Sequence, residues 1–335
     1  FNIISVSVVK WNSGVVLQNK RIYGNHGAGI YNYGIVYIAG GSILGNEIYS
    51  AGYGAGIYNQ RTINMTSGHI DDNKMYSISS YYSGAGVYNT GTFEFSGGTI
   101  AGNSMEKMSC SYIYGVALYN GGVLNMSGSA AIENNKIDNT GYSGNIYGTV
   151  YNVGTMTANG GSIRGNDLLY GGSTNSESYG ALGGGLFISG GQVTISGMEI
   201  QDNQCRAVRQ ESASTTYSRG GGIYIQSGTL KFMSGNIQGN KANSGAGIYY
   251  RDGSTAKVEI SGGVIRDNTP LVTTVKALKQ NAGIYINGQN FNLKGGGSTI
   301  SDRIYLASTS YPVILGGSIY QRNRMYTIDC AASFT

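Results

Sequence analysis

The chain has 335 residues, with 56 glycines and 28 tyrosines but only 2 prolines and 1 tryptophan. Charged residues make up 12%, about half the usual share, and the formal net charge of +5 is not gathered into any basic run, which excludes a nucleic-acid-binding segment. High glycine beside abundant Tyr, Ile and Val excludes a disordered chain, because such chains are poor in aromatic and β-branched residues.

Cys110, Cys205 and Cys330 are odd in number and far apart, and His26 and His69 complete no zinc spacing with them. They read as buried or loop thiols in a fold not built on disulfides, and no metal or cofactor is expected. No stretch of 18 apolar residues occurs, so no membrane span is expected. No signal peptide is present, and the chain starts at Phe1 rather than Met, which reads as a processed or excised piece.

In chain order, residues 1–20 form an N-terminal edge with a weak alternation of Ile4, Val6 and Val8, residues 21–320 are repeats, and residues 321–335 form a C-terminal edge of low charge. Three features recur through the repeats. The first is Gly-Ala-Gly-Ile-Tyr-Asn at residues 27–32 and 54–59, with Val for Ile at 84–89 and looser copies at 115–120 and 147–152. Later copies at 183–188, 220–225, 245–250 and 283–286 lose the Asn. The second is a short alternating strand such as Val36/Ile38, Ile63/Met65, Phe93/Phe95 or Val193/Ile195, whose apolar pairs are two apart and share one face.

The third is Ser-Gly-Gly-x-Ile-x-x-Asn or a variant of it. Its Asn falls at Asn25, Asn46, Asn73, Asn103, Asn135, Asn166, Asn203, Asn240 and Asn268, each three residues after an Ile, and Ile300 and Ile319 continue the series without it. An Asn at the bend after a strand bonds neighbouring backbone and stacks on the Asn of the next coil, so these nine are expected to form a structural ladder. Gly24, Gly45, Gly102, Gly165 and Gly239 before it suit a positive φ, and Asp72, Asn134, Asp202, Asp267 and Asp302 read as substitutes in that place.

Each repeat thus carries three short strands separated by glycine-rich turns. No such unit buries its apolar face alone, but stacking closes a core. The predicted fold is all-β, a single-domain right-handed parallel β-helix of about ten or eleven three-strand coils, and a rise of about 4.8 Å per coil gives a rod of roughly 50 Å.

Ile-x-x-Asn paired with Gly-Ala-Gly-Ile resembles the FxxN and GGA[ILV] repeats of polymorphic outer-membrane proteins, and is similar to the β-helix repeat surface proteins of other bacteria and some protists. The resemblance spans roughly residues 20–320 and departs in using Ile for Phe and in lacking a C-terminal membrane barrel. It implies an extracellular, cell-surface, adhesin-like role with a host or neighbouring-cell protein or glycan as partner.

Parallel β-helices also carry polysaccharide lyases and hydrolases, whose acid/base pairs need carboxylates about 5–9.5 Å apart on the outer face. The outward columns hold only separated acids: Asp71 and Glu133 flank Ala101, and Glu94 and Glu259 are isolated. Asp71-Asp72 with His69 lacks supporting neighbours, and Lys231 beside Glu259 reads as a surface ion pair, so no catalytic residue is expected.

The richer signal is tyrosine. The stretches between each bend Asn and the next signature Gly all leave at one corner and grow to 17 residues at 166–183 and 203–220. They hold Tyr49, Tyr53, Tyr76, Tyr81, Tyr82, Tyr112, Tyr114, Tyr142, Tyr147, Tyr170, Tyr179 and Tyr217 among Ser, Gly and Asn. That mixture suits recognition, since Tyr gives contact area at low entropy cost; the bland alternative is packing over the coils. A second set, Tyr31, Tyr58, Tyr88, Tyr119, Tyr151, Phe187, Tyr224, Tyr249, Tyr285 and Tyr305, follows core aliphatics and is expected to stack as a ladder on the outside of the coils. The readings are therefore an adhesin-like binding rod, a structural subunit polymerising through open coil ends, or, on fold analogy alone, a carbohydrate-active enzyme.

Overall fold

Alternation with period two decides which side chains enter the core. In the computed structural model, which describes residues 2–3, 8–21, 26–49, 52–76, 81–106, 112–140, 144–171, 180–207, 218–251, 256–271, 283–294, 297–308, 310, 313–316 and 328–330, the strands stack in parallel as a β-helix. No helix occurs among the described residues, and none is therefore long and apolar enough to cross a membrane.

The Ile-Tyr-Asn signatures form the twelve-stranded sheet A, for example Ile30–Asn32, Ile57–Asn59 and Val87–Asn89, in register residue by residue. First and third residues point into the coil, and the second points out. The second and third expected strands of each coil belong to one sheet, B. In several coils they run on as a ten-residue strand, such as Thr62–Asp71 or Gln192–Gln201, whose register shifts midway. Glycines of the Ser-Gly-Gly motif lie near this bend, where Gly68 has φ 93°, a value L residues seldom adopt. Between A and B lies a continuous apolar core in which Ile43, Ile70, Ile100, Ile132, Ile163, Ile200, Ile237 and Ile265 succeed one another, each at most 2% exposed.

Two asparagine ladders run through this core. Asn46 donates from Nδ2 to Oδ1 of Asn73 at 2.9 Å, and the pattern repeats through Asn103, Asn135, Asn166, Asn203, Asn240 and Asn268 at 2.8–3.0 Å. The same amides donate to backbone carbonyls, as Asn103 does to Ile70 and Ala101, which satisfies polar groups that water does not reach. Asn25 lies outside the described residues. The rung before Asn46 is Asn19, donating to it at 2.7 Å, because Val16 pairs with Ile43 and fills the Ile place. At the other end Asn268 donates to the carboxylate of Asp302 at 2.6 Å. Asp302 is thus a ladder acceptor and not a turn residue, whereas Asp72, Asn134, Asp202 and Asp267 do hold φ between 53° and 58°.

The second ladder, in sheet A, joins Asn32, Asn59, Asn89, Asn120 and Asn152 at 2.7–2.8 Å. It stops where Ile188, Ile225 and Tyr250 take the place of Asn.

The stretches after the bend Asn contain two further sheets. Sheet C holds seven strands, including Lys74–Tyr76 and Asp167–Gly171, and sheet D holds six, including Tyr81–Ser83 and Tyr112–Tyr114. Their inner faces enclose a second core that includes Ile48, Met75, Tyr82, Met105, Ile113, Ile137, Ile146, Leu168, Tyr170 and Cys205. The Ala of the Gly-Ala-Gly signature, as Ala55 and Ala85, enters this annexe, while the Ile two residues on enters the main core. The intervening Gly is pinched between them: a Cβ at Gly56 would sit 2.5 Å from the Gly86 carbonyl oxygen and 2.9 Å from Asn73 Nδ2.

Candidate tyrosine-lined recognition site

The residue before the signature Gly in the first seven copies, read coil by coil, is His26, Tyr53, Ser83, Tyr114, Tyr147, Leu182 and Arg219. From Tyr53 onward these form one register-matched column of sheet D. Alternation turns the column away from the annexe core and toward the outer face of sheet A.

There it meets the aromatic ladder. All ten rungs from Tyr31 to Tyr305 stack on their neighbours, with centroids 4.5–5.6 Å apart. The column covers the ladder unevenly. His26 stacks on Tyr58 at 4.6 Å, Tyr53 on Tyr88 at 4.6 Å, and Tyr114 meets Tyr151 edge-on at 4.9 Å. Further along, Leu182 packs against the ladder and the Arg219 guanidinium lies 5.8 Å from the Tyr249 ring. Tyr224, Tyr249, Tyr285 and Tyr305 are buried, whereas Tyr88 and Tyr119 are half-buried.

The cover is interrupted at Ser83, which pairs in register with Tyr53 on one side and Tyr114 on the other. A cleft of about 160 Å³ opens there, lined by Tyr53, Ser83, Tyr88, Tyr114, Tyr119 and Tyr151. No charged side chain lines it. Burial raises the Tyr88 phenol well above its ordinary value, with Tyr119 and Tyr53 adding to the shift, and pushes Tyr151 up to about 12. Burial raises Tyr119 as well. These phenols therefore stay protonated at every physiological pH and keep both a donor and an acceptor.

The described tyrosines among those singled out from the sequence do not share one surface. Tyr82 and Tyr170 are buried in the annexe core, at 0% and 1% exposed, because each follows its strand's alternation inward. Tyr76 is half-buried on sheet C and stacks on Tyr49 at 4.7 Å. Tyr112, Tyr114 and Tyr147 cluster at the aromatic corner. Tyr81 pairs with Tyr112 through its backbone. Tyr142, Tyr179 and Tyr217 lie outside the described residues. The cleft instead recruits Tyr53 and the ladder rungs Tyr88, Tyr119 and Tyr151. A signal for it was present in the sequence as the single Ser interrupting His26, Tyr53, Tyr114 and Tyr147.

The outer acids are tied into local contacts. Asp71 accepts from Thr99 Oγ1 at 3.2 Å and from the Ala101 amide at 3.1 Å, and lies 3.6 Å from His69 Nδ1, which itself meets the Thr99 hydroxyl at 2.9 Å. Burial raises the Asp71 carboxyl above its usual range, opposed by His69. Glu133 pairs with Arg164 and Asp267 with Arg266. Glu259 pairs with Lys294 at 2.8 Å, one coil further on than the Lys231 expected from the sequence. Among the described residues no three His, Cys, Asp or Glu side chains gather as a metal site. Cys205 is buried and its thiol is held well above the usual range by desolvation, with Asp167 adding to it, which makes it inert packing. Comparison with protein-family models, curated proteins and solved structures found no match to this chain.

Proposed function

We infer that this chain is an extracellular, adhesin-like binding rod whose recognition surface is the aromatic corner between sheets D and A. The observation that carries the reading is the cleft walled by Tyr53, Tyr88, Tyr114, Tyr119 and Tyr151. Its walls stand on paired strands, so the rings are held in place before any ligand arrives, and little ordering cost is incurred on binding. A concave aromatic site with a few polar groups is the usual form of a ligand pocket. The surface repeat proteins that the motifs resemble supply the cellular context, and the partner is a glycan or protein on a host or neighbouring cell.

The test is attachment of the purified chain to cells and to immobilised glycans. The expected result is saturable attachment that falls at least about tenfold in the double variant Tyr53→Ala/Tyr114→Ala, while the circular dichroism of the β-helix is kept. Absence of saturable attachment by the unmodified chain overturns the reading.

A further inference from the structure

The aromatic part of the column that covers the ladder, from Tyr53 to Tyr147, is missing a ring at Ser83. Ser83 pairs with Tyr53 on one side and Tyr114 on the other, so those two tyrosines stand two coils apart, about 9.6 Å at the usual strand spacing. A ring is about 3.4 Å thick in stacking contact, and the neighbouring ladder holds its own rings one per coil at about this repeat. The gap therefore accommodates one six-membered ring. Its volume, about 160 Å³, is close to that of an engineered cavity of about 150 Å³ that takes up benzene.

Resting on the reading of this corner as a recognition surface, we propose that the Ser83 gap is the binding site for a single neutral pyranose ring of a glycan. Three features select that class. The lining carries aromatic faces, which suit the C–H face of a sugar. It also carries six hydroxyls, five phenolic and one from Ser83, each able to donate and accept, so a sugar's hydroxyls can exchange hydrogen bonds with them where an apolar ring cannot. The absence of any charged lining residue removes the ion pair that an acidic sugar would need, in spite of the chain's net positive charge. A terminal or in-chain hexose with equatorial hydroxyls presents apolar faces to the rings and hydroxyls to the rim.

The experiment is saturation-transfer NMR on the whole chain with methyl β-D-glucopyranoside, methyl β-D-galactopyranoside and methyl α-D-mannopyranoside, with p-cresol as a mimic of a tyrosine side chain. The variant Ser83→Tyr supplies the missing ring. It is expected to keep or raise the melting temperature and to weaken pyranoside binding at least about tenfold. Ser83→Ala leaves the gap open but removes one lining hydroxyl, so it should weaken binding about two- to fivefold, less than Ser83→Tyr. Tyr88→Phe, which keeps the ring and removes one hydroxyl, gives a folded second variant expected to bind about three- to tenfold more weakly.

Undiminished pyranoside binding in Ser83→Tyr overturns the assignment of the gap while leaving the adhesive corner standing. Binding of p-cresol without any pyranoside overturns it in favour of an aromatic side chain of a protein partner. Loss of cell attachment by the unmodified chain, together with no pyranoside signal, overturns the adhesive reading as well.

Discussion

The main core and the annexe are made by the same chain in the same coils, yet they are held by different means. Between sheets A and B an Ile recurs at a fixed place from Ile43 to Ile300, with Val16 in that place one coil earlier, and two asparagine ladders tie the coils together amide to amide. Between sheets C and D the strands are two to five residues long and the filling varies from coil to coil: Ile48, Met75, Met105, Ile137, Leu168 and Cys205 share one column. Among the described residues sheets C and D hold seven and six strands against twelve in sheet A, and beyond Gln204 and Arg219 they continue only as single bridges to Lys241, Thr269 and Ser244. A repeated polar seam fixes register, whereas a variable apolar filling tolerates change. The difference teaches that the coil is the constant scaffold and the annexe is where individual coils diverge.

The comparison breaks if damage to the two regions is alike. Asn103→Leu in the main seam removes the acceptor of Asn73 and the donor to Asn135, Ile70 and Ala101. With each orphaned buried group costing about 1–3 kcal/mol, the loss should exceed about 4 kcal/mol in urea unfolding and should reach the whole stack. Tyr82→Ala in the annexe should cost about 3 kcal/mol from lost volume. Its effect should stay local, so that hydrogen exchange quickens in sheets C and D while sheets A and B keep their protection. Equal loss of protection in all four sheets would mean that the two regions unfold as one.

The smallest effect sharpens the account of the seam's end. Burial raises the Asp302 carboxyl, more than its bonds from Asn268 lower it. The folded state then holds that proton more tightly than the unfolded chain does. The group's contribution is full below the ordinary carboxylate value of about 4 and is lost as pH rises through the raised folded value. Asp302→Asn should therefore stabilise the chain at pH 7, by about 1 kcal/mol at most because the carboxylate is only partly buried, and the gain should vanish in thermal melts below about pH 4.

The regular part of this architecture was legible in the residues because it repeats: the Ile column, the Asn46-to-Asn268 ladder and the ten-rung aromatic ladder are all read off one register. The Asn19 rung escaped notice because Val16 stands for Ile and Gln18, at φ 49°, stands for the Gly, Asn or Asp that marks the turn. The Asn32-to-Asn152 ladder was visible as a repeated letter, but an Asn inside a strand signals no bond until the coils are stacked. Sheets C and D were unreadable for a plainer reason. A strand of two or three residues carries no period, and Tyr82 in the core differs from Tyr114 at the corner only by one step of alternation. The cleft depends on a side chain that is small, and absence of bulk at Ser83 gains meaning only from its neighbours two coils apart.

The amides of both ladders all face the same way: each carbonyl oxygen points at the coil before and one N–H at the coil that follows, while in the main ladder the other N–H turns back, as from Asn103 to the Ile70 carbonyl. Aligned bond dipoles add, and each polarises the next. The rod therefore has an electrical sense along its axis, with its positive pole toward the C-terminal coils, much as a row of peptide groups gives a helix its poles. Asp302 accepts the last amide N–H of the main row at that end. An amide lost from the middle of the row would cut the chain of polarisation in two, whereas one lost beside Asp302 would only shorten it. The penalty for removing an asparagine should thus depend on its rank in the row even where its local contacts are the same.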